Sequence, residues 1–197
     1  MTGFNQLISI IIPVFNEGES IGYLLDEVIN VMHANKLHFE VIVVNDGSQD
    51  NTSSVLEELN IKIRELVVIS LRKNYGQTAA MAAGFDNAKG EIVITLDGDL
   101  QNDPNDIPKL ILNINEGYDL ICGWRYDRKD KLINRRIPSK IANKLIAKVT
   151  GLKLHDYGCS LKAFKKEIID DIKLYGELHR FLPVLANIEG ARIKEIK

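Results

Sequence analysis

The chain has 197 residues, 45% of them hydrophobic and 26% charged, with a formal net charge of −2. This is enough for one well-packed domain of ordinary soluble composition, and no apolar run approaches the ~20 residues that span a bilayer. The first ten residues have neither a basic start nor a long apolar stretch, so no signal peptide is expected, and Cys122 and Cys159 fit no metal-ligand spacing and are expected as free thiols in a reduced, cytoplasmic setting.

The first half alternates strand-like and helix-like segments. Leu7 to Phe15 is β-rich, and Glu19 to Ala34 follows with Ile21, Leu24, Leu25, Val28, Ile29 and Met32 at helical spacing. Phe39 to Asn45, Leu66 to Leu71, Glu91 to Leu96 and Tyr118 to Cys122 read as further strands. Asn51 to Arg64, Gln77 to Ala88 and Ile107 to Asn115 read as the helices between them. This order predicts a mainly parallel sheet covered on both faces, with ligands bound beyond the carboxyl ends of its strands. Trp124 to Asn134 is charged and predicted as a loop, and Pro138 to Thr150 as a helix capped by Gly151. A loop to Ser160, a strand over Leu161 to Phe164, helices over Lys165 to Lys173 and Glu177 to Ile188, and a strand over Ala191 to Ile196 complete the reading. No repeat, low-complexity tract or linker divides the chain, so residues 1–197 are read as one domain.

Four polar clusters fall directly after successive strands: Asn16-Glu17, Asp46-Gly47-Ser48 with Asp50, Asn74 to Gln77, and Asp97-Gly98-Asp99. Each alone has a bland explanation, because strand-to-helix turns favour these residue types for capping, and Asp50 can simply cap the second helix. Together they would gather on one edge of a parallel sheet, where carboxylates and amides suit a nucleoside. Two carboxylates at the end of a buried strand need neutralising, and a hard divalent cation bridging to a substrate diphosphate does this. A P-loop ATPase, a Rossmann dehydrogenase and an α/β-hydrolase are disfavoured, because G-x-x-x-x-G-K-S/T, G-x-G-x-x-G and G-x-S-x-G are all absent from the expected turns.

Charge is segregated: Arg125 to Lys148 holds nine Lys/Arg against two Asp, a balance of +7, so the rest of the chain carries −9. Such a stretch points to a polyanionic partner or an anionic membrane surface, or else to a solvated helix face.

Ser9 to Glu17 resembles the opening of family 2 glycosyltransferases, Val41 to Thr52 their second signature, and Thr95 to Pro104 their variant D-x-D-L-Q-x-D-P. Gly158 to Lys162 and Gly176 to Phe181 are similar to the polyprenyl-phosphate branch of that family, and the resemblance covers essentially the whole chain. It implies a GT-A fold and an inverting, metal-dependent transfer of a hexose from a nucleotide diphosphate sugar, of UDP-glucose or GDP-mannose type, onto polyprenyl phosphate. By motif position Pro13, Phe15, Glu17 and Asp46 would line the nucleoside pocket, with Asp97 near the ribose or the metal. Asp99 and Gln101 would ligate Mg²⁺ or Mn²⁺; Arg125 and either Arg135 or Arg136 would hold phosphates; Arg180 would close over the donor. Phe15 stands where some relatives have Tyr, which removes any hydroxyl contact there. The implied partners are the nucleotide sugar, the lipid phosphate and a membrane surface, at its cytoplasmic face; nucleic acid is not among them, and a homo-oligomer stays open. Relatives in this branch often continue into C-terminal membrane helices, and the ending at Lys197 inside a predicted strand leads us to expect the same here; the alternative is an amphipathic surface helix, with Lys140, Lys144 and Lys148 spaced four apart on one face.

The chemistry of the acceptor bears on this choice. An alcohol acceptor needs a general base, whereas a phosphate monoester, with a second pKa of ~6, is already largely anionic at neutral pH. No Q-x-x-R-W motif of processive synthases is present. A family 2 transferase with a soluble saccharide or protein acceptor, using a base such as Asp156, is the alternative, and a nucleotide-binding module without catalysis is the third reading.

Overall fold

A computed structural model describes residues 6–125 and 150–197. Seven strands form one sheet: β1 (Leu7–Val14), β2 (His38–Asn45), β3 (Leu66–Ser70), β4 (Ile92–Thr95), β5 (Leu120–Gly123), β6 (Lys162–Lys165) and β7 (Ile193–Ile196), in the order β3-β2-β1-β4-β6-β5-β7. β1, β2, β3 and β4 are parallel, as are β5 and β7, while β6 runs antiparallel between β4 and β5. The expected parallel sheet is therefore present in its first four strands, with one reversed strand beyond them.

Among the described residues the helices are α1 (Ile21–Ala34), α2 (Thr52–Lys62), α3 (Gln77–Asn87), α4 (Ile107–Asn115), α5 (Lys166–Asp171) and α6 (Leu182–Ile188). Alternation along β1 decides which face each side chain serves. Ile8, Ile10, Ile12 and Val14 pack on one face with Leu24, Leu25 and Val28 of α1 and Leu110 and Ile114 of α4. Ile11 packs on the other face with Ala80, Met81 and Phe85 of α3, Phe164 of β6 and Leu182 of α6. α3 is rich in small residues because it lies close to β1: a Cβ on Gly84 would come within 2.4 Å of the Ile11 side chain.

The second half departs from expectation in two places. The helix predicted over Glu177 to Ile188 is a 3₁₀ turn, Leu178–Phe181, followed by α6. Pro183 explains the break, since it lacks an N–H and is tolerated in the first turn of a new helix but not inside a longer one. The helix predicted over Lys165 to Lys173 shortens to α5. Gly151 has φ +72°, as a residue ending a helix requires. The rest of the predicted loop and helix between Trp124 and Thr150 lies outside the described residues.

Candidate active site

The parallel pairing of β1, β2, β3 and β4 brings all four polar clusters to one edge, and hydrogen bonds lace them together. Asn16, in the left-handed region at φ 58°, takes the Ser48 hydroxyl on its N–H (2.9 Å) and accepts from the Gln49 N–H (2.8 Å). Asp50 accepts from the Thr52 hydroxyl (2.5 Å), the Thr52 N–H (3.0 Å) and the Gly18 N–H (3.2 Å). The Thr52 hydroxyl above all holds its carboxyl below the usual carboxylate range; Asp50 ties the loops together just before α2, whose N-cap position is Asn51.

Asp46 is buried, and its two oxygens accept from the Tyr75 and Gly76 N–H groups, both at 2.8 Å. It thereby fastens the β3–α3 loop to the end of β2. Gly47 permits this closeness: it has φ +69°, and a Cβ there would lie 2.4 Å from the Lys73 backbone. From the same loop, Gln77 donates to Asp97 at 2.8 Å.

A first cavity of about 360 Å³ opens among these loops and is lined by Pro13, Phe15, Glu17, Asp46, Asp97 and Asp99, with Gln77 and neighbouring residues. Six of the residues expected at the donor site therefore share one cavity. Phe15 is 41% exposed at it, an apolar ring available for stacking. Glu17 accepts from the Ser20 hydroxyl at 2.5 Å.

Asp99 is exposed, accepts from the Gln101 N–H at 3.1 Å, and is followed by Leu100 in the left-handed region at φ 60°. Gln101 is also exposed and lines neither this cavity nor the next. The donor set at this turn is two carboxylates and an amide, all oxygen, and among the described residues no cluster of three or more His, Cys, Asp or Glu could hold a metal. That set fits Mg²⁺ or Mn²⁺, which takes one or two carboxylates and fills its remaining positions with water and substrate phosphates.

A second cavity of about 460 Å³ shares Pro13, Gln77 and Asp97 with the first, so the two form a continuous cleft. Arg125 and Arg180 line it, as do Asp156, Lys162 and His179. Arg125 grips Asp156 through two hydrogen bonds, 2.8 and 3.1 Å. Burial works against the guanidinium charge, but the Asp156 hydrogen bonds and charge outweigh it and hold the Arg125 pKa above its usual value. Asp156, the base of the alternative reading, is thus committed to an arginine. Arg135 and Arg136 lie outside the described residues.

His179 hangs the 3₁₀ turn onto α3. Its Nδ1 lies 2.6 Å from the Thr78 hydroxyl, and Arg180 Nε donates to its Nε2 at 3.4 Å, which assigns the proton to Nδ1. Burial, then the Arg180 charge, lowers its pKa, so the ring is neutral at pH 7.

Trp124 stacks on His155 at 4.1 Å, and Glu195 of β7 accepts from the His155 ring (2.6 Å) and from the backbone of His155 and Asp156. Both cysteines are buried; burial pushes the Cys122 thiol up to about 12 and also raises Cys159. Sequence reasoning placed Gln77 in a polar cluster and Asn102 and Lys162 inside family motifs, but assigned Asn102 and Lys162 no individual role. Asn102 is buried and donates to the Ser160 hydroxyl at 2.8 Å, tying the Asp99 turn to the loop before β6. The available signals for Lys162 were its place at the end of the Gly158 to Lys162 motif and a single lysine in an otherwise apolar strand, Leu161 to Phe164.

Residues 9–173 match the model of glycosyl transferase family 2. Dodecaprenyl-phosphate galacturonate synthase of Rhizobium johnstonii is 45% identical over 193 residues, covering 96% of this chain and 57% of the relative. Undecaprenyl-phosphate 4-deoxy-4-formamido-L-arabinose transferase of Proteus mirabilis is 43% identical over 200 residues, covering 100% of this chain and 61% of the relative. The chain thus spans about three-fifths of the length of these curated relatives. The fold is that of mannosyl-3-phosphoglycerate synthase from Rubrobacter xylanophilus, with TM-score 0.77 and 15% identity over 96% of this chain and 65% of that one. It is shared with glucosyl-3-phosphoglycerate synthase from Mycobacterium tuberculosis, solved with Mn²⁺ and UDP-glucose: TM-score 0.71, 19% identity, 97% of this chain and 68% of that one.

Proposed function

The chain belongs to glycosyl transferase family 2, and we propose that it moves a sugar from a nucleoside diphosphate onto the phosphate of a polyprenyl lipid, with inversion at the anomeric carbon. The observation that carries this reading is the Arg125–Asp156 pair in the second cavity. An alcohol acceptor needs a carboxylate free to take its proton. Here Asp156 is neutralised by Arg125, and Asp97 accepts from Gln77. A phosphate monoester needs no base. Its anionic oxygen attacks the anomeric carbon, the bond from that carbon to the donor's diphosphate breaks, and the electron pair leaves on the nucleoside diphosphate. The cations around the cavity hold the acceptor anion and the departing charge. The names of the curated relatives, each a transfer to a polyprenyl phosphate, agree with this.

In this reading Pro13, Phe15, Glu17 and Asp46 bound the nucleoside, and Asp97 stands where the two cavities meet, beside the sugar and diphosphate. Asp99 and Gln101 would hold Mg²⁺ or Mn²⁺, which supplies charge stabilisation to the leaving diphosphate. Arg180 closes the donor side.

The test is transfer by the purified protein with radiolabelled nucleotide sugars and a short-chain polyprenyl phosphate. The panel holds UDP-glucose, GDP-mannose and the nucleotide-linked forms of the two sugars named for the relatives. A chloroform-soluble labelled product is expected with one of them. Product on a soluble saccharide and none on the lipid would refute the proposal.

A further inference from the structure

Lys162 is 3% exposed. Because β6 runs against its neighbours, its first residue arrives at the carboxyl edge, paired with Thr95 of β4 and Cys122 of β5. There its side chain lines the second cavity beside Arg125, His179 and Arg180. Its ammonium donates to the Cys159 carbonyl oxygen. Among the described residues no carboxylate lies within 4.0 Å of it. An ammonium has three N–H donors, so one carbonyl leaves most of its capacity unmet. A buried cation without a counter-ion is costly unless something anionic arrives. The flanking thiols cannot supply that anion, since burial keeps both protonated. Of the two carboxylates that line this cavity, Asp156 is held by Arg125 and Asp97 accepts from Gln77.

We propose that Lys162 is a phosphate-binding residue, its ammonium donating to a phosphate oxygen of the ligand that fills the second cavity. This rests on the reading of the cleft given above and deepens it. Two sources carry that oxygen, the donor's diphosphate and the acceptor's phosphate monoester. The competing role for Lys162 is a strut that merely ties the Cys159 carbonyl to β6.

Three variants separate these roles. Lys162→Met removes both charge and donor; Lys162→Gln keeps a donor for the Cys159 carbonyl without the charge; Lys162→Arg keeps the charge. Calorimetric titration with UDP, inorganic pyrophosphate, a short prenyl phosphate and uridine reads each arm. Both neutral variants are expected to lose roughly tenfold or more in affinity for a phosphate ligand, as removal of a charge-assisted hydrogen bond does. Uridine affinity is expected unchanged, and Lys162→Arg should remain within about threefold of the parent. A loss confined to UDP and pyrophosphate assigns the contact to the donor; one confined to the prenyl phosphate assigns it to the acceptor. Phosphate affinities of Lys162→Gln matching the parent would overturn the proposal and leave the strut. If neither neutral variant folds, ¹⁵N-lysine NMR of the parent decides: the Lys162 ammonium signal must shift with pyrophosphate or prenyl phosphate, and a static signal overturns the proposal. A parent that binds pyrophosphate through Lys162 yet transfers no sugar to lipid refutes the proposed function alone. A parent that transfers sugar while Lys162→Gln binds every phosphate normally refutes this inference alone.

Discussion

Asp97 and Asp99 stand two residues apart, yet their surroundings divide them. Asp97 accepts from Gln77 at the junction of the two cavities, whereas Asp99 is exposed and accepts from the Gln101 N–H of its own turn. Exposed positions of this kind change stability by only about 0.5 kcal/mol. Asp99→Ala should therefore keep its melting temperature while losing the gain in nucleoside diphosphate affinity that Mn²⁺ confers, as titrations with and without the metal will read. His179 makes a prediction of opposite kind, on pH. Its pKa is lowered in the folded chain, by burial first and then by Arg180. Between the folded value and the unfolded value of 6.5 the unfolded chain binds the extra proton, so stability rises with pH across that window and falls on acidification. Above 6.5 the penalty is absent. Melting temperatures from pH 7.5 downward should thus fall more steeply for the parent than for His179→Gln, which keeps a donor for Thr78 without the titration.

At the scale of elements, the Asp99 turn is not an independent loop. Asn102 ties it to Ser160, and the Thr95 hydroxyl at the end of β4 donates to the Ser160 carbonyl at 2.5 Å. The turn that would hold the metal and the loop that carries Cys159 toward Lys162 thus share one anchor. Asn102→Ala removes a buried hydrogen bond worth about 1 kcal/mol. It should lower the melting temperature modestly, leave uridine affinity unchanged and weaken diphosphate affinity in the presence of Mn²⁺. Much of this frame is legible in sequence. The apolar run of β1 and the helical spacing of α1 are dictated locally, and the β-α-β order fixes which loops share an edge. Hence six of the residues that sequence assigns to a donor site line one cavity. What is not legible depends on distant partners. Nothing in Leu161 to Phe164 says that the strand will slot antiparallel between β4 and β5, so the local pattern alone does not bring Lys162 to the cleft, although it ends a family motif. Arg125 and Asp156 are 31 residues apart, and no local pattern pairs them.

For the whole molecule, the cleft and the basic stretch bear together on how the proposed lipid-phosphate acceptor would be reached. Among the described residues no helix is long and apolar enough to cross a membrane. The stretch from Arg125 to Lys148 carries +7 against −9 elsewhere, and it begins at Arg125, a residue that itself lines the second cavity. We propose that this stretch draws the protein onto an anionic surface. Each Lys or Arg near such a surface contributes about 1 kcal/mol. Replacing Lys140, Lys144 and Lys148 together by Glu should accordingly weaken binding to vesicles containing anionic lipid by roughly a hundredfold or more. The same substitution should leave nucleoside diphosphate affinity unchanged, because these residues lie outside the set expected at the donor. Sedimentation with anionic and neutral vesicles measures the first quantity and calorimetry the second. The effect should fade at 1 M salt, where screening acts within about 3 Å. Binding that is equal on neutral vesicles, or indifferent to salt, would assign the stretch to a solvated face and leave the approach to lipid to another part of the protein.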